Sequence, residues 1–107
     1  MHNYLVGILE TLGIDIAWVE YEGNSDEYIV FSIYGDEESD FADNQNLSET
    51  YYITINYYFK SLKNIDKWKK IRDLLKQNGF SYDGGEDLKL KNIHGKNMDF
   101  IYKKTTS

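Results

Sequence analysis

The chain has 107 residues, no cysteine and a formal net charge of −6, with a hydrophobic fraction of 41% and an aromatic fraction of 16%. That length suits one domain around a single core, and the composition is that of a globular chain and not of a disordered one. The lack of cysteine excludes disulfides, thiolate metal sites and cysteine nucleophiles, and the acidity argues against a nucleic-acid partner, which would need a basic footprint.

No stretch approaches the ~20 apolar residues of a membrane span. Residues 1–10 have no basic n-region before a long apolar run, so no signal peptide is expected and the cytoplasm is the expected location. Tyr4, Leu5, Ile8, Leu9 and Leu12 recur at helical spacing, which predicts an amphipathic helix over 2–12 with Gly13 as its C-cap and Gly7 as a weak spot. Ile16–Tyr21 reads as a first strand, ended by the turn formers of 22–27. Tyr28–Tyr34 is a second strand with Ile29, Phe31 and Ile33 on one face. The short link between the two predicts an antiparallel hairpin, and Gly35 is expected to end the second strand.

The acidic stretch 36–46 follows, with Phe41 and Ala42 as its apolar pair. It is expected either to cross the sheet with Phe41 as a plug or to form a short strand of its own. Thr50–Phe59 is the strongest signal in the chain. Tyr51, Ile53, Ile55, Tyr57 and Phe59 share one parity, and Tyr52, Thr54, Asn56 and Tyr58 share the other, over roughly 30 Å. So long a two-faced strand belongs at the centre of a sheet, with the core against its odd face. Asn64 is a candidate cap for a helix whose inward stripe is Ile65, Trp68, Ile71, Arg72 and Leu75, stopped by Asn78-Gly79. Phe80–Asp83 opens another strand, kinked or bulged by Gly84-Gly85 and resumed by Leu88–Leu90. After a turn at 93–96, Asn97–Lys103 is the last strand, with Met98, Phe100 and Tyr102 on one face. Residues 104–107 are expected to fray. The fold class is therefore α+β: one domain over 1–107, with a mainly antiparallel sheet of about five strands and two helices on one face, in the order α-β-β-(β)-β-α-β-β.

Residues 1–59 contain twelve acids and no Lys or Arg, whereas residues 60–107 contain all twelve cations and six acids, so the halves carry −12 and +6. Either the halves pair their charges as they fold together, or the molecule presents two faces of opposite potential suited to head-to-tail association. Asp36, Glu37, Glu38, Asp40 and Asp43 form the densest carboxylate run. The calcium-loop frame fails there, with no glycine at the sixth position and no closing glutamate, so a solvated loop that meets a basic partner is the reading. His2 and His94 have no spacing that would bring them together as zinc ligands. No nucleophile elbow or phosphate cradle is present. Asp83, Glu86 and Asp87 flank the glycine pair without an apolar pocket that would separate their pKa values. Tyr52 and Tyr58 could form an aromatic surface with Tyr28 and Tyr34 if the four share a face, more suited to a protein than to single-stranded nucleic acid. No enzyme activity, cofactor, metal or small-molecule substrate is expected.

Tyr28-Ile-Val-Phe31, Asp40-Phe-Ala-Asp-Asn44 and Tyr51-Tyr-Ile-Thr-Ile-Asn-Tyr-Tyr58 follow one another here, and then come a helix over Trp68–Leu75, Phe80-Ser-Tyr82 and Asp99-Phe-Ile-Tyr102. In order and spacing this resembles a family of small minor tail or tail-completion proteins of long-tailed bacteriophages and prophages, from about Leu5 to Tyr102. Phe41–Asn44 is its most specific piece. The family usually has a proline before its second strand, where this chain has Asp26-Glu27. The resemblance implies a structural role at the tail end or head–tail junction, through a ring. Its partners would be tail or connector proteins and copies of itself, in the bacterial cytoplasm and then the virion tail. It brings no catalytic residues. The interface residues expected on both grounds are Asp36, Glu37, Glu38, Asp40, Phe41, Asp43, Asn44, Tyr52 and Tyr58. The alternative is a small acidic cytosolic adaptor or inhibitor of a basic protein.

Overall fold

The computed structural model describes residues 1–41 and 46–106. In chain order the elements are α1 (His2–Leu9), a 3-10 turn (Glu10–Leu12), β1 (Asp15–Trp18), β2 (Glu27–Phe41), β3 (Asn46–Phe59), a second 3-10 turn (Leu62–Asn64), α2 (Trp68–Gln77), β4 (Phe80–Leu88) and β5 (His94–Thr106). They form an α+β domain with one five-stranded sheet in the order β1-β2-β3-β5-β4. β3 is central, as its two-faced pattern implies. Its Ile53, Ile55, Tyr57 and Phe59 are buried with Ile29 and Phe31 of β2, Met98 and Phe100 of β5 and Phe80 of β4. Leu5, Ile8 and Leu9 of α1 and Ile71 and Leu75 of α2 complete the same core, so both helices cover one face of the sheet.

The punctuation at several element ends follows the residues. Gly13 is left-handed at φ 69° and closes the first helical segment. Asn78 donates from its side-chain amide to the Leu74 carbonyl at 2.8 Å, and Gly79 follows at φ 93°, which ends α2. Gly84 has φ 95° at the register shift between Tyr82 and Gly85. A Cβ on Gly85 would lie 1.9 Å from the Asn97 carbonyl oxygen, so the bulge needs glycine there.

Five expectations are corrected. β1 and β2 pair in parallel, with Asp15 opposite Tyr28 and Trp18 opposite Phe31, and not as a hairpin. Parallel connections usually need a dozen or more residues. A four-residue β1 is short enough for residues 19–26 to walk back along it. The reversal is a γ-turn in which the Glu20 N–H donates to the Trp18 carbonyl at 2.7 Å, with Val19 at φ 69°. Tyr21 clips the return: its hydroxyl donates to Asp15 at 2.8 Å and accepts from the Ser25 N–H at 2.9 Å, and its ring stacks on Tyr28 with centroids 3.8 Å apart.

Second, Gly35 does not end β2. It sits in a bulge between Ile33 and Gly35, opposite Tyr52, and a Cβ there would come within 3.2 Å of the Tyr52 ring. The glycine seats a ring, and the strand runs on to Phe41. Third, Asp36–Phe41 is therefore neither a crossover nor a separate strand but the outer arm of a long hairpin, paired with Asn46–Tyr51. Fourth, Asn64 does not cap α2. It closes the 3-10 turn that Ser61 caps, its carbonyl accepts from the Lys67 N–H, and Ile65 is 54% exposed. Fifth, Lys104–Thr106 do not fray but pair with Leu47–Glu49 on β3.

Candidate functional site

Beyond the helices the sheet narrows to a three-stranded ribbon of β2, β3 and β5. β1 pairs with β2 only as far as Phe31, and β4 pairs with β5 only as far as Tyr102. The ribbon comprises the outer part of β2, Asn46–Tyr51 of β3 and Lys103–Thr106 of β5. It makes the molecule long, with principal extents of 53 × 22 × 22 Å.

Asp36, Glu37 and Glu38 are exposed on this ribbon, and together with Glu49 and Tyr51 they border one shallow hollow. Tyr51 donates its hydroxyl to the Glu49 carboxylate. That carboxylate, then burial and the nearby charges of Asp36 and Glu38, hold the Tyr51 phenol above its ordinary range. Glu37 is on the other face, where its charge, with burial and a hydrogen bond, pushes up Tyr52. Asp40 and Phe41 are the last two residues of β2, opposite Leu47 and Asn46. Asp43 and Asn44 lie outside the described residues. Asp36 and Glu38 thus lie on one face of the ribbon and Glu37 on the other. Among the described residues no three His, Cys, Asp or Glu side chains gather as a metal-binding group.

Tyr52 and Tyr58 lie on the helix-free face of the sheet with Tyr28 and Tyr34. Tyr28 and Tyr58 are direct cross-strand neighbours with ring centroids 5.0 Å apart, and Tyr34 and Tyr52 are 6.1 Å apart. Between these pairs the surface turns polar, with Asn97 donating to Thr54 at 2.7 Å and to Asn56 at 2.9 Å. Burial, followed by the charges of Asp99 and Asp83, raises the Tyr34 phenol. The tyrosine residues thus sit at two ends of a polar strip and form no continuous apolar platform.

The cations gather at the far end of the body, beside the end of β3. Lys67 pairs with Glu27 at 2.8 Å and Lys60 with Asp26 at 3.3 Å, and these join the two halves of the chain. Trp68 is ringed by Lys96, Arg72 and Lys69 at 4.4, 5.1 and 6.0 Å from its ring. Asp87, one of the carboxylates beside the glycine pair, is exposed and lies 3.6 Å from Lys96. His2 packs on Trp18 and Phe31 while His94 packs on Phe59, so the two histidine rings belong to different clusters.

Sequence reasoning missed Lys103 and Lys104. They are exposed and level with the acids, in the rungs Glu37–Thr50–Lys103 and Glu38–Glu49–Lys104. Beyond the helices the described side chains of the ribbon are polar or aromatic, Ser48 being the buried one, so no alternation of apolar residues marks these strand ends. No helix among the described residues is long and apolar enough to cross a membrane. The chain matches no protein-family model and no curated protein.

Proposed function

We propose that the protein is a structural assembly unit of a phage or prophage tail, acting at the tail end or head–tail junction by forming or joining a ring. The observation that carries this reading is the polarity of the molecule along its long axis. An acidic ribbon projects past the helices at one end, and Lys63, Lys67 and Lys70 surround the start of α2 at the other. From the level of Glu49 to Phe59, β3 spans about 33 Å. Charges so far apart are screened from each other at physiological salt and remain available to neighbours. A body with unlike surfaces is suited to heterologous association, and repeated heterologous contacts form a ring where the rotation closes. The order of Phe41–Asn44 and the long strand after it adds the resemblance to small tail proteins.

Mixing the protein with tail-tube and connector proteins and sizing the products tests the reading. A complex of defined size with one of them is expected. A chain that stays monomeric with every tail and neck protein would sink it. The acidic ribbon also favours a second reading, an adaptor that covers a basic protein. Capture of one basic enzyme, lost steeply with added salt, would support that instead.

A further inference from the structure

The ribbon has two open edges. Among the described residues, no strand pairs with the outer side of β2 from Ser32 to Phe41, nor with the outer side of β5 from Lys103 to Thr106. An open strand edge is a row of unpaired N–H and C=O groups that can template pairing with another strand. We propose that these two edges are the halves of one joint: the Lys103–Thr106 edge of one copy pairs with the Asp36–Phe41 edge of the next, continuing the ribbon from molecule to molecule. This deepens the assembly reading and rests on it for its occupant, a second copy of the chain.

Charge and register select this pairing over the others. Glu37 and Lys103 lie on one rung, Glu38 and Lys104 on the next, and each rung keeps its side chains on one face. β2 and β5 are both antiparallel to β3 and therefore run the same way. A copy placed alongside without axial shift brings its Glu37 beside the neighbour's Lys103 and its Glu38 beside the neighbour's Lys104. Strands in such a joint are about 4.8 Å apart, within reach of cross-strand ion pairs. The symmetric alternatives, β2 to β2 or β5 to β5, set acid against acid or lysine against lysine. The sheet is five strands wide at the helices and three at the tip. Tips can therefore touch while the bodies splay apart, and such a wedge repeated by one rotation makes a ring.

Charge reversal by mixing tests the joint in the full chain. Glu37→Lys/Glu38→Lys makes both edges basic, and Lys103→Glu/Lys104→Glu makes both acidic. Each variant alone should sediment as a monomer at roughly 0.05 M salt, where the wild type associates beyond dimers. Its apparent dissociation constant should rise on the order of tenfold or more. An equimolar mixture of the two should associate again, which a folding defect cannot mimic. Because the chain has no cysteine, Glu38→Cys/Lys104→Cys gives a second readout. Within one copy these positions are two strand spacings apart, about 9.5 Å, too far for a disulfide, so oxidation should build an intermolecular ladder while each single variant stops at a dimer. A wild type that is monomeric at all salt concentrations, a mixture no more associated than its components, or no ladder overturns the joint. If the joint fails in these ways while a tail or neck protein still binds, the joint is overturned and the proposed function stands. Association through the edges with no affinity for any tail or neck protein would do the reverse.

Discussion

At the end of the body where the cations gather, Glu27 joins two groups. Its carboxylate accepts from the Tyr57 hydroxyl, in the middle of the core face, and pairs with Lys67 at 2.8 Å. Burial opposes its charge, but the Lys67 ammonium and the Tyr57 hydroxyl outweigh that and hold the carboxyl below the ordinary value of 4.5. Burial and the same carboxylate push the Tyr57 phenol far up, so it stays a donor. A carboxyl lowered on folding stabilises the protein above its unfolded pKa and loses that contribution as pH falls through the lower folded value. Glu27→Gln should therefore cost about 1–3 kcal/mol at pH 7. In parallel thermal melts the gap to wild type should narrow as pH falls below 4.5. A gap that keeps its size would contradict the account.

Two glycine residues carry opposite expectations. Gly7 lies inside α1 with nothing within 4 Å of a built Cβ, so Gly7→Ala should stabilise by about 1 kcal/mol. Gly85→Ala would drive a methyl into the Asn97 carbonyl and should cost several times that, since the backbone must move. Denaturant midpoints for the pair check both signs.

At the scale of elements, β3 is two things joined end to end. Over Ile53–Phe59 it is the centre of the core, and over Asn46–Tyr51 it is the middle strand of the projecting ribbon. Ile55→Asp buries a charge where exposure is 0% and should abolish folding, read as loss of the cooperative melt. Asp36→Asn/Glu37→Gln/Glu38→Gln touches only exposed ribbon residues and should leave the melt within about 0.5 kcal/mol while weakening assembly. The core half was legible because burial on one face imposes a period of two, visible in Ile53, Ile55, Tyr57 and Phe59 and again in Met98 and Phe100. The ribbon half was not, because Ser48, its buried residue, is a small polar one and leaves no apolar period to read. Gly35 misled for a related reason: a ring seat and a chain terminator both call for glycine, and only the position of Tyr52 tells them apart. The parallel β1 was hidden because its return depends on Tyr21 meeting Asp15 and Tyr28, contacts that no local pattern carries.

At the scale of the molecule, the acids at 36–38 stand on the ribbon with Lys103 and Lys104 level with them, and Lys63, Lys67 and Lys70 stand at the far end of the long axis. Lys60–Asp26 and Lys67–Glu27 bridge the two halves near the cationic end, while the acids at 36–38 remain exposed at the other. Association through such ends should weaken as salt rises, and sedimentation from roughly 0.05 to 0.5 M salt measures it directly.

The position of β5 has a consequence for biosynthesis. It is the last element in chain order, yet it lies between β3 and β4. During translation β4 is made before β5 and has no strand to join, and the inner edge of β3 stays bare until β5 is complete. The five-stranded sheet therefore closes in one late step, after every other element has been made. A ribosome stalled before His94 would hold a chain with an open, tyrosine-rich edge, the kind of surface that chaperones bind and that aggregates form from.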